Sequence, residues 1–181
     1  TTGGVIDTNS TYTTDGGAIL FDGAVVINDA ITINTTANGA AGADVTFTST
    51  LDSESGETNN VTITAGTGDV GFQDLAGNGD TLGVVTIHSA RHVDTFGLRA
   101  ASFEQVAGTG TTTIGEGLFT SDEQGMATTA IAGVVINNDA ITINDSIHTT
   151  GDGVVTLTTD NGLLTIAADG DITADGAVQL T

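Results

Sequence analysis

His88 and His92 stand four residues apart with Arg91 between them and Arg99 close behind. Both arginines of the chain and two of its three histidines therefore fall within one short stretch. Two imidazoles at that spacing could hold a divalent metal, and a guanidinium fork could receive a carboxylate. The stretch lacks the Glu of a metalloprotease His-Glu-x-x-His helix, and no carboxylate lies between the two histidines. What is left for it is docking of an acidic neighbour or plain surface decoration.

Hard oxygen donors supply a second chemistry, the binding of Ca²⁺. Asp44 belongs to the nearest match to a calcium-binding nonapeptide, Gly39 to Phe47, which has Ala for one Gly, Thr in the apolar slot and no tandem copy. Asp169, Asp171 and Asp175 gather at turns near the C-terminus. These four carboxylates are the candidate metal ligands. No catalytic or cofactor-binding residue is assigned. Ser89 has His88 beside it but no nucleophile elbow, and there is no cysteine. A polysaccharide lyase or hydrolase site would call for Arg or Lys near developing negative charge, and Lys is absent. The expectation is a protein without enzymatic activity.

The surrounding composition points the same way. With 23 carboxylates against two arginines the formal net charge is −21, which opposes binding to nucleic acid or to an anionic membrane surface and calls for counter-ions. No apolar run reaches the roughly 20 residues of a membrane helix, so membrane insertion is not expected. There is no Pro and no Trp, Gly fills 26 positions, and aromatics make up only 4%. Such bias belongs to a repeat.

Short runs alternate apolar residues with Thr: Ala30 to Asn34, Val45 to Thr48, Val61 to Thr64, Val84 to Ile87 and Val154 to Thr158. Period-2 alternation of this kind reads as half-buried strands. Asn38-Gly39, Asp15-Gly16, Asp22-Gly23 and similar pairs mark turns between them. A longer period is also present. Asp29 to Asn34 returns as Asp139 to Asn144, an offset of 110 residues, and Val45 to Thr48 returns as Val155 to Thr158 at the same offset. Val25 to Asn28 returns one residue out of step as Val134 to Asn137. The chain thus reads as one continuous β-solenoid over residues 1–181, about 1.6 copies of this unit. At roughly 20 to 25 residues per three-faced coil it would form about eight parallel coils. Leu51 to Asn60 is expected as an outward loop. Val84 to Val106 is where the pattern should fail, and within it Val93 to Val106 is read as strands and not a short helix because Gly97 interrupts the helix. Tandem immunoglobulin-like sandwiches, calcium-dependent in adhesins, would also suit a period near 110 residues.

Ala101 to Thr113, Gly153 to Thr158 and Gly162 to Ile172 resemble the repeats of giant bacterial β-strand-repeat surface proteins, which are filamentous-haemagglutinin-like. The resemblance implies a right-handed parallel β-helix, export to the cell surface or medium, and a part in adhesion, matrix or filament building. The expected function is a structural module of a stalk or fibre, associating end to end with further repeats or with other copies. An adhesin domain binding glycans or proteins of a host or matrix is the alternative. Thr-x-Thr ranks such as Thr62/Thr64 and Thr156/Thr158 also raise ice binding, interrupted here by Asn and Asp.

Overall fold

In a computed structural model, residues 6–115 and 125–181 are described, and they form a parallel β-solenoid of about seven turns. Each coil lays one short strand on each of three faces. The first coil comprises β1 (Ile6–Thr8), β2 (Thr11–Thr13) and β3 (Ile19–Phe21) on faces one, two and three. The second repeats the order with β4 (Val25–Ile27), β5 (Ile31–Asn34) and β6 (Val45–Phe47). In the third, β7 (Leu51–Ser53) and β8 (Val61–Thr64) are followed by β9 (Val70–Ala76), which turns the corner into face one of the fourth. Face two of the fourth coil is β10 (Leu82–Ser89). The long β11 (Val93–Gln105) then runs over three faces in succession, and β12 (Thr111–Ile114) closes the fifth coil. The sixth holds β13 (Met126–Thr128), β14 (Val134–Asn138) and β15 (Ala140–Ile143). The seventh holds β16 (Ser146–Thr149), β17 (Val155–Thr159) and β18 (Leu164–Ile166). Two further strands, β19 (Asp171–Thr173) and β20 (Val178–Leu180), lie on β16 and β17.

Ladders between these strands are parallel. Down face one Ile6 stacks on Val25, Val25 on Leu51, Leu98 on Met126 and Met126 on Ile147. Antiparallel pairing, which a sandwich demands, is confined among the described residues to the isolated bridge between Asp15 and Thr36. The immunoglobulin-like alternative is thereby overturned. Chain length implies about eight coils, and about seven turns are found, with β19 and β20 beginning a further one.

Inside the coils, alternation does what period 2 requires. Val25, Ile27, Ile33, Val45, Phe47, Val61, Ile63, Val85 and Ile87 are fully buried, while the Thr between them face outward. One inward rank is aromatic. Phe21 stacks on Phe47 at 4.7 Å and Phe47 on Phe72 at 5.3 Å, with nearly parallel rings, and Tyr12 meets Phe21 edge-on at 5.1 Å. Parallel in-register strands place identical side chains directly above one another, which makes such a column possible.

One sequence expectation needs correction. Leu51–Ser53 is strand, with Leu51 and Ser53 buried, so the excursion is confined to residues 54–60. Val84 to Val106 holds most of the two longest strands, β10 and β11, and the pattern does fail there: the ladder shifts register between Ile87 and Ser89 and again between Thr95 and Gly97, and residues 90–92 lie outside both strands. The 110-residue repeat also has an unforeseen structural form. Its first copy places Ile31–Asn34 on face two and Val45–Phe47 on face three, whereas the second places Ala140–Ile143 on face three and Val155–Thr159 on face two. All three faces make the same in-and-out demand, so a strand-turn unit can be set on any of them. The turn at Ala37–Gly39, with Asn38 and Gly39 at positive φ, corresponds in the second copy to the strand Ser146–Thr149.

Candidate functional site

Position separates the four residues of the cationic stretch. His88 is exposed on face two, at the irregularity where Ile87 pairs with Ile63 and Ser89 with Thr64, so it is the extra residue of a bulge. Arg91 and His92 occupy the corner before face three, and Arg99 lies on face one in register with Ala127. Backbone geometry therefore disperses the group over three sides of the rod.

At the corner entering face three the residues form a staircase. Asp44, Asp69, His92 and Thr111 each precede a residue of the inward column Val45, Val70, Val93 and Thr112. The Asp69 N–H donates to Asp44 Oδ1 at 2.9 Å, and the His92 N–H to Asp69 Oδ1 at 3.1 Å. The Thr111 N–H donates to His92 Nδ1 at 2.9 Å, which fixes the neutral ring with its proton on Nε2. Arg91 closes a fork on Asp69, Nε to Oδ1 at 2.9 Å and Nη2 to Oδ2 at 2.7 Å. That guanidinium holds the Asp69 carboxyl below its ordinary range, and the carboxylate in turn raises Arg91. Corner residues of one coil thus satisfy backbone donors of the next.

Two of the candidate calcium ligands are used in the same way. Asp44 caps Asp69, and Asp175 Oδ2 accepts from the Asp152 N–H at 3.0 Å. Asp171 Oδ2 accepts from Thr173 Oγ1 at 3.4 Å, and Asp169 is exposed in the turn before β19. Asp44 lies on the second coil and the other three at the opposite end of the rod. Among the described residues no group of three or more His, Cys, Asp or Glu side chains is placed to hold a metal ion.

Comparison with family models, curated proteins and solved structures returns no match. Function must be argued from the rod itself.

Two features escape a reading of the sequence. Asp52 lies in a cradle of N–H groups at residues 78–80, with Gly79 donating at 2.7 Å, yet burial raises its carboxyl above the ordinary range and nearby Asp80 adds to this. Deeper in, Asn138 Nδ2 donates to Thr112 Oγ1 at 2.9 Å and Thr112 Oγ1 donates to Gln105 Oε1 at 2.5 Å, all three fully buried. A signal for this triad exists: Gln105 follows Phe103 by two, so alternation sends it inward. No helix of the described residues is long and apolar enough to cross a membrane.

Proposed function

We propose that the chain is a non-catalytic structural module of an extracellular or cell-surface protein, a rod segment that extends by stacking coil on coil. A filamentous-haemagglutinin-like bacterial surface protein is the parent that its repeats fit. One observation carries the reading. Inward residues that are fully buried in the middle coils reappear about half exposed in the last strands: Ile166, Val178 and Leu180 are 46–48% accessible, although Ile143, Val155 and Leu157 directly beneath them are at 0%. A further coil, from the same polypeptide or from another copy, would bury these side chains and pair the open strand edges. The acidic composition supports a place in an ion-rich medium, where counter-ions offset the charge.

Sedimentation velocity on the isolated chain over a wide concentration range tests this. Association should grow with concentration and salt, and electron micrographs should show rods of one width and variable length. Val178→Asp with Leu180→Asp should abolish it while leaving the far-UV spectrum intact. A monomer that stays monodisperse at high concentration and salt sinks the proposal.

A further inference from the structure

The outward side of face two changes character in the middle of the rod. Down its central rank, Thr11, Thr32, Thr62 and Thr86 occupy successive coils, and Thr156 resumes the pattern in the seventh. Between them the rank reads Glu104 and Val135. This is also where any Thr lattice suited to ice is broken. Val84, Ser102, Phe103, Glu104, Ala132 and Val135 line a hollow of about 360 Å³. Val106 and Ile131, which flank these residues in the chain, are 44% and 71% exposed. Folding does not ask for this: a Thr at the same rank serves five other coils.

Charge selects the occupant. Two copies meeting face to face here would bring Glu104 against Glu104 inside an apolar contact, and each chain already carries −21. A cationic segment is drawn in at long range by the same charge and can pair with Glu104 on arrival. Aliphatic side chains beside the cation would then cover Val84 and Val135. We propose that this hollow docks an extended segment of a partner protein in which Arg or Lys alternates with aliphatic residues. The inference is independent of end-to-end stacking, because the hollow lies on the side of the rod.

The test is fluorescence anisotropy with a dye-labelled, end-capped Leu-Arg-Leu-Arg-Leu peptide at physiological salt. Comparison peptides are Leu-Glu-Leu-Glu-Leu and Gly-Arg-Gly-Arg-Gly. The Leu-Arg peptide should bind, and both comparisons should bind more weakly. Glu104→Gln and Val135→Thr should each weaken binding at least about threefold. The latter places at this rank the residue type of Thr156 in the next coil, and circular dichroism checks that it folds. Asp94→Asn removes the same charge from the exposed side of face three and should leave affinity unchanged. Several outcomes overturn the proposal: no binding, equal binding of the Gly-Arg peptide, or an equal loss in Asp94→Asn, which would mean diffuse attraction to a polyanion. Dimerisation promoted by Glu104→Gln would do so too, by making a second copy the occupant.

Discussion

Replacing Phe47 by Ala removes the middle ring of the Tyr12, Phe21, Phe47, Phe72 column, at a position with no solvent exposure. Large-to-small truncation of a buried Phe costs about 3–5 kcal/mol. Phe47 stacks on a ring to either side, at 4.7 Å and 5.3 Å, and such a pair contributes about 0.5–1.5 kcal/mol beyond its buried area. The expected cost therefore sits at the upper end of the truncation range or just beyond it, about 4–6 kcal/mol. Because coils touch only their neighbours, the destabilisation should fall on the first three. Urea unfolding followed by circular dichroism measures the total, and hydrogen exchange read by mass spectrometry locates it. Protection should drop over β3, β6 and β9 and persist over β14 and β17. Phe47→Leu, which refills most of the volume without a ring, should fall between. Phe96→Ala serves as the control, since Phe96 is 45% exposed and should change stability by less than about 0.5 kcal/mol. A cost for Phe47→Ala below about 1.5 kcal/mol, or an equal drop in protection along the whole rod, would refute the stacked column.

Arg91→Ala should lower stability only slightly at neutral pH, since the pair is largely open to water and screened by it. Because Asp69 is held below its ordinary range, its contribution is complete above the unfolded value near ~3.9 and disappears as pH falls through the lower folded value. Arg91→Ala should therefore move the acid edge of the urea midpoint to higher pH. Asp52 has the opposite sign: its raised carboxyl favours the fold at low pH and loses that advantage as pH climbs through the folded value. Asp52→Asn keeps an acceptor for the Gly79 N–H and should be at least as stable as the parent at neutral pH; a destabilisation above about 1 kcal/mol there would contradict this. Gly66 has φ +63°, and a Cβ on it would strike the Ala41 carbonyl of the coil below, so Gly66→Ala should cost about 2 kcal/mol, whereas Gly71→Ala, with open space around it, should be neutral or stabilising in the same thermal melt. Ca²⁺ and Mg²⁺ should raise the melting temperature alike by screening the net charge of −21, and a calcium-specific rise would show that the scattered aspartates do converge on an ion.

Strand positions are legible because alternation is a local property. Val61–Thr64 has the boundaries read from sequence, and Ile31–Asn34 and Val155–Thr159 differ by a residue. The parallel stacking is legible through the repeat. Which face a strand takes is not, because the faces are equivalent to the side chains and only corner lengths assign them. Phe21, Phe47 and Phe72 recur at nearly one coil length, but a handful of aromatics in so long a chain promises only a thin core, and the column shows itself only once the strands are in register. The corner staircase is hidden for another reason. Asp44 and Asp69 look like ordinary turn residues, and what gives them partners is a backbone N–H some twenty-odd residues away in sequence but one strand spacing away in space.

Three kinds of position can be told apart in this rod by what holds them. Ladder hydrogen bonds are made by backbone and ask nothing of the side chain. Inward positions are set by stacking, and where polar residues intrude, as at Gln105, Thr112 and Asn138, they bond to one another. Corner positions cap the donors of the next coil. Outward positions in the middle of a face are bound by none of these, and Thr prevails there because a β-branched, solvated side chain suits a pleated surface. The cationic stretch that stands out in sequence is therefore the part that folding accounts for: Arg91 grips Asp69, His92 accepts from Thr111, and His88 is a bulge. Glu104 and Val135 are unremarkable as residue types, yet they replace Thr where neither stacking nor capping requires it. A departure that the fold does not use is the place on such a rod to look for a partner.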